Sequence, residues 1–275
     1  MLWNDNENKE NHAMKEKRFL VDVGMNDLPF PMKVVSRAYP GGQPTVATIS
    51  ISARIMRDFE ARWIDEFIKI VHEHRDKIGT STLSANVKDY VKRLQASAVR
   101  INFDYPFFVE KRTPISKEKC LVRYLCRYTA KAPSVTGRTS ILFKIAAPCI
   151  TTYPVKQTDA PKSLFGQLSI FHIEIEPKKD VYPEDIVDIV DRHTLMPVYS
   201  FLTEEDQKFV IAKIHSDNKS SVMVLDEIKS DLAHNSSVDW YSVNCNNYGM
   251  LHTYSTAIGT EKSSWVPFSG VEDEL

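Results

Sequence analysis

Hydrophobic and polar positions alternate along much of this chain with a period of two, and elsewhere they fall into stripes of helical period. Phe30–Val35 is a short extended run, and Pro40-Gly41-Gly42 a turn. Ala47, Ile49, Ile51 and Ala53 alternate with polar neighbours, which predicts a strand with one buried face. Phe59, Trp63, Phe67, Ile70 and Val71 form one stripe of a helix expected to run from an Asp58 cap to about Arg75. Val87, Tyr90, Val91, Leu94 and Ala98 are the seam of a second helix, opened by Ser84.

Strand signals follow over Val99–Glu110, Leu121–Thr129, Ser140–Ala147 and Leu168–Glu176. The third breaks at a bend, Ala146-Ala147-Pro148-Cys149, before a polar excursion to the fourth. Helices return at Pro183 (apolar face Ile186, Ile189, Val190), at Glu204–His215 and at Ser220–Ala233. Trp240–Asn247 and His252–Ile258 read as closing strands. Strands, helices and strands therefore occur twice. That pattern predicts an α+β fold of antiparallel sheet with helices on one face, in two tandem modules at residues 19–150 and 151–259. A polar, disordered arm over 1–18 and a polar tail over 260–275 are expected to flank them.

Composition narrows the function. Thirty-five basic and 36 acidic side chains leave a net charge of -1, so nothing supplies the basic footprint of a nucleic-acid partner. No apolar run approaches a membrane span and no apolar leader opens the chain, which predicts a cytoplasmic protein. Cys120, Cys126, Cys149 and Cys245 form no CxxC pair and are expected as reduced thiols, Cys126 and Cys245 as small buried hydrophobes. His72 and His74 are read as surface residues, and His193 and His215 have no evident partner.

Six segments carry a collinear likeness: Val21–Leu28, Gln43–Thr48, Phe103–Ser116, Met196–Tyr199, Asp206–Val210 and Tyr248–Ala257. Together they resemble the type IB GTP cyclohydrolase family over residues 19–258. The resemblance implies a tunnelling fold (T-fold), a homo-oligomer (dimer or tetramer) with sites at subunit interfaces, a small-molecule substrate, and a zinc-type ion for opening the imidazole ring of GTP.

The family's functional positions are altered here. Its metal-binding Cys-Pro-Cys falls on Ala147-Pro148-Cys149, its ligand histidine on Phe165 and its ligand glutamate on Ala212. A histidine-containing stretch of the first helix falls on Trp63–Glu66, the guanine-anchoring glutamate on Gly249 and a later histidine on Tyr254. Alanine and phenylalanine donate no lone pair to an ion. These losses predict no cofactor, with zinc only in a rebuilt site using Cys149, His252 or His215. Cys149 and His252 are the expected catalytic groups, as nucleophile and acid–base. Trp63, Phe165, Gln167 and Tyr254 are the expected substrate contacts, three aromatics suited to a planar ligand. The expected function is metal-independent conversion of a small planar or heterocyclic metabolite, on a scaffold that urate oxidase also resembles. GTP cyclohydrolase activity and a non-catalytic subunit are the alternatives.

Overall fold

A computed structural model describes residues 20–56, 62–133, 136–153, 165–249 and 253–262. The chain runs through strands β1 (Leu20–Val34) and β2 (Gln43–Met56), then helices α1 (Trp63–His74) and α2 (Thr80–Arg93). Strands β3 (Ala96–Arg112), β4 (Lys119–Ala132), β5 (Ser140–Thr152) and β6 (Gly166–Pro177) follow. Helix α3 (Pro183–His193), the two-residue strand β7 (Met196–Pro197) and helices α4 (Glu204–Ser216) and α5 (Ser221–His234) lead to β8 (Val238–Tyr248) and β9 (Thr256–Glu261).

Among the described residues nine strands join one antiparallel sheet in the order β1-β2-β3-β4-β5-β6-β8-β9, with β7 against β5. Each half is a hairpin, a helical insertion and a second hairpin, and the halves meet where β4 pairs β5. Residue 150, the expected division between modules, lies inside β5, and Thr260 and Glu261 of the expected tail belong to β9. The 1–18 arm, the Asp58 cap, most of the polar excursion and the tail from residue 263 lie outside the described residues.

Alternation decides which face of the sheet is core. Ile49, Ile51, Ile101, Phe103, Tyr128, Phe143, Ile145, Phe171, Ile173 and Val243 point inward and are fully buried. The helices lay their stripes on that face: Trp63, Phe67, Ile70 and Val71 from α1, Val87, Tyr90 and Val91 from α2, Ile186, Val187 and Val190 from α3, and Val224, Ile228 and Leu232 from α5. Helix α2 begins four residues ahead of Ser84, because Thr82 at its third position accepts from the Gly79 amide at 3.0 Å. His74, expected on the surface, packs edge-on against the Tyr90 ring.

The reading of β5 as a strand that bends at Ala146–Cys149 is corrected: the strand is continuous to Thr152. Proline has no amide proton for a ladder. The β4 ladder ends at Ala146, two residues before Pro148, while β6 continues alongside and β7 takes up the free edge at Cys149 and Ile150. Pro148 thus sits where β5 exchanges one neighbour for another.

Candidate functional site

The inward face of β5, β6 and β8 changes character along its length. Register sets Ile145, Ile173 and Val243 side by side, then Ala147, Phe171 and Cys245, then Cys149, Ser169 and Asn247, and last Thr151 with Gln167. An apolar core therefore becomes a buried polar belt over two rungs of the ladder. Thr151, Ser169, Gln167, Asn247, Cys149 and Cys245 are all buried.

Buried polar groups need partners, and these form a directional chain. Gln167 Nε2 donates to Thr151 Oγ1 (3.1 Å), Thr151 lies 2.7 Å from Ser169 Oγ, and Ser169 donates to Asn247 Oδ1 (2.7 Å). With the Ser169 proton committed to Asn247, Thr151 is the donor to Ser169. Asn247 Oδ1 also receives the Cys245 thiol at 3.4 Å. The chain ends in two groups with no side-chain partner among the described residues, the acceptor Gln167 Oε1 and the donor Asn247 Nδ2. One backbone connection fixes this end of the sheet: Thr152 exchanges hydrogen bonds with Lys219 and Asn218 ahead of α5.

On the other side of Cys149 lies a buried ion pair, Lys111 of β3 with Asp191 of α3. Lys111 also stands over the Tyr124 ring, 5.3 Å from its centroid. Burial pushes the Cys149 thiol well above its ordinary value, the neighbouring Cys245 and Asp191 add to the push, and Lys111 opposes it. A thiolate nucleophile needs the reverse of these conditions. Cys149 is a fully buried thiol whose surroundings on balance hold it above its ordinary value.

The other expected site residues divide. Gln167 belongs to the belt. Phe165 immediately precedes β6, is 42% exposed, and accepts the Tyr153 amide at its carbonyl. Tyr254, ahead of β9, is 60% exposed. Trp63 opens α1 in the other half of the chain and is buried in the core. His252 lies outside the described residues. His172 stands on the opposite face of β6 from Gln167 and Ser169, beside Asn246. His193 does have partners: Asp231 at 2.8 Å through Nε2 and Glu227 at 3.2 Å through Nδ1, both from α5.

The zinc-type ion implied by the resemblance does not fit the side chains at the corresponding positions. Ala147 is fully buried among apolar neighbours, Ala212 is exposed on α4, and Phe165 presents a ring. None of the three donates a lone pair, and Cys149 is fully buried. Among the described residues no three of His, Cys, Asp and Glu converge in a way that could hold an ion. No helix among the described residues is long and apolar enough to cross a membrane.

A nine-stranded antiparallel sheet with paired helical insertions on one face is the architecture of tunnelling-fold proteins. Solved urate oxidases share it: the uricase from Bacillus fastidious superposes with a TM-score of 0.53 over 88% of this chain and 92% of that one, at 11% identity. The Bacillus sp. TB-90 urate oxidase gives 0.55 over 89% of this chain and 100% of its own, at 10% identity. The sequence narrows the class. Residues 7–257 match the family described as type I GTP cyclohydrolase FolE2, and the chain belongs to that family. GTP cyclohydrolase FolE2 of Geobacter sp. strain M21 is 26% identical over 241 residues, 88% of this chain and 89% of that protein. The FolE2 of Syntrophus aciditrophicus is 25% identical over 258 residues, 94% of this chain and 99% of the relative.

These relationships correct the functional expectation. The expectation of a metal-independent enzyme for some other planar metabolite rests on the joint loss of the metal ligands and the guanine anchor. Likeness to named GTP cyclohydrolases across nearly the whole chain overturns that inference.

Proposed function

We propose that this chain is a GTP cyclohydrolase: water opens the imidazole ring of GTP, C8 leaves as formate, and the rearranged ribose carbons close the new ring to give 7,8-dihydroneopterin triphosphate. The observation that carries the reading is the family match over residues 7–257. The polar belt supports it chemically. Gln167 Oε1 and Asn247 Nδ2 offer one acceptor and one donor at the end of a pre-ordered chain. That pair complements the N–H and carbonyl edge of guanine, and a site built to pair with such an edge strongly rejects analogues that lack it. Phe165 and Tyr254 supply exposed rings for stacking. In this reading Cys149 stays a packing thiol behind the belt.

The test is incubation of the full chain with GTP, with and without added Zn²⁺ or Mn²⁺, followed by oxidation and detection of neopterin fluorescence. Product formation is expected, and Gln167→Leu should raise KM for GTP about tenfold or more, because it strands the substrate's donor. A chain that binds GTP and yields no pterin under any metal condition sinks the reading.

We infer a homo-oligomer as the working form. Among the described residues nothing covers the second face of the sheet, which exposes Val46, Phe108, Leu125, Leu168 and Tyr248. Light scattering coupled to size exclusion should give a dimer or tetramer of the 31.5 kDa chain, and a monomer at micromolar concentration would contradict it.

A further inference from the structure

The open face of the sheet carries a second feature, far from the polar belt. Register places Ser52 of β2, Arg100 of β3, Lys131 of β4 and Ser140 of β5 in one row across four strands. Arg100 and Lys131 are direct cross-strand neighbours. Like charges in that position destabilise a sheet, and neither cation has a carboxylate partner among the described residues. The next row is small at Ala98, so the row borders a groove of about 630 Å³ crossing β1 to β5.

Two more cations wall the groove. Arg54 is held in place by Asp22, through a two-pronged contact of 2.7 and 3.0 Å. Arg138 reaches Glu176 and Asp239 only at 3.7 and 3.6 Å. Four cations thus border a shallow, largely apolar depression, and Asp22, its one lining carboxylate, is already engaged with Arg54. In a chain of net charge -1 this concentration of one sign is local. A cleft lined by one sign focuses its field on the opposite one.

We propose that this groove binds a small polyvalent phosphate anion, with Arg100 and Lys131 as its principal contacts and the Ser52 and Ser140 hydroxyls as further donors. Arg100 offers a planar fork that matches two phosphate oxygens, and Lys131 a compact charge beside it. Binding removes the repulsion between them, so the site is strained empty and relaxed when filled. It is distinct from the guanine-edge site of the same subunit. Ser140 and Cys149 stand near opposite ends of β5, about 30 Å apart along the strand.

Calorimetric titration of the full chain with inorganic tripolyphosphate at low salt tests the site, with GTP and guanosine as parallel arms. Tripolyphosphate should bind, the affinity should fall as salt rises, and R100Q/K131Q should weaken it about tenfold or more. Thermal melting gives a second readout. Lys131→Gln alone should raise the midpoint of the ligand-free protein, and tripolyphosphate should raise the wild type further than the variant. Tripolyphosphate and GTP both binding through Arg100 and Lys131, with guanosine silent, identifies a nucleotide's phosphate tail as the source. Tripolyphosphate acting alone identifies free polyphosphate, and either result upholds the site. Equal binding by wild type and double variant, or binding by neither, overturns it.

Discussion

Lys111→Met is expected to destabilise the protein by about 3–5 kcal/mol at pH 7.5, read by urea unfolding. Lys111 is 8% exposed and its partner Asp191 24% exposed, so water screens neither well. The pair joins β3 of the first half to α3 of the second. Removing the ammonium leaves a buried carboxylate on α3 with Asp188, of like sign, as its charged neighbour among the described residues. Burial already pushes the Asp191 carboxyl above its ordinary value and Lys111 pulls it back, so the substitution lets it rise further. A carboxyl whose folded value is raised favours the folded state as pH falls and disfavours it as pH rises. The deficit of Lys111→Met should therefore shrink toward pH 5. Lys111→Met/Asp191→Leu should recover most of the loss at both pH values, since an apolar pair of similar volume often replaces a buried ion pair without cost. If the single and double variants lose equal stability, or if the single variant's loss is independent of pH, the pair is not the origin of the effect.

Much of the fold was legible in the sequence because alternation and burial coincide. Ala47, Ile49, Ile51 and Ala53 of β2, and Phe171, Ile173 and Ile175 of β6, were inward by pattern and are inward in the structure. The first strand was read too short. Gly24, Pro29 and Pro31 break its pattern, and a bulge between Met25 and Leu28, with Asp27 at φ 59°, shifts its phase. An edge strand tolerates all of these, and among the described strands β1 has β2 as its ladder partner, with one isolated bridge from Val34 to Ile78. Pro148 misled in the opposite direction, because its tolerance depends on where the β4 ladder stops, a tertiary fact. The last strand, read as His252–Ile258, is Thr256–Glu261.

The candidate site was legible only where it touched a known motif. Gln167 and Cys149 were found through the resemblance. Thr151, Ser169 and Asn247 were not, since each is an ordinary polar residue until register sets three strands side by side. Lys111 and Asp191 are 80 residues apart and meet through the packing of α3 on the sheet. The altered positions mislead for a related reason. A few residues, each with a strong chemical meaning, were set against a likeness spread thinly over some 240 positions, and the thin likeness held more information.

The second large effect is expected at Asp206, in a segment the sequence marked without revealing its job. Its carboxylate is fully buried. It accepts from the Ile115 amide (2.8 Å), the Ser116 amide (3.0 Å) and hydroxyl (2.7 Å), and the Thr203 amide (3.1 Å) and hydroxyl (2.7 Å). Thr203 in return accepts the Asp206 amide, completing a reciprocal cap on α4. One side chain therefore starts a helix and ties down the turn between β3 and β4. Burial alone would raise its carboxyl, but the hydrogen bonds from Thr203, Ser116 and Ile115 outweigh burial and hold it well below the ordinary carboxylate range. A depressed folded value contributes stability in full above the unfolded value of about 3.9, and that stability is lost as pH falls through the folded value. Asp206→Ala should lower the melting midpoint by roughly 10 °C at pH 7, since it strands five donors at once. The gap to wild type should stay constant down to about pH 5, because the wild-type carboxylate keeps its charge throughout that range. Asp206→Asn should fall between the two, keeping one acceptor and losing the charge. Melting curves by circular dichroism at pH 7, 6 and 5 read all of this, and a gap that closes over that interval would mean the carboxylate is not held as described.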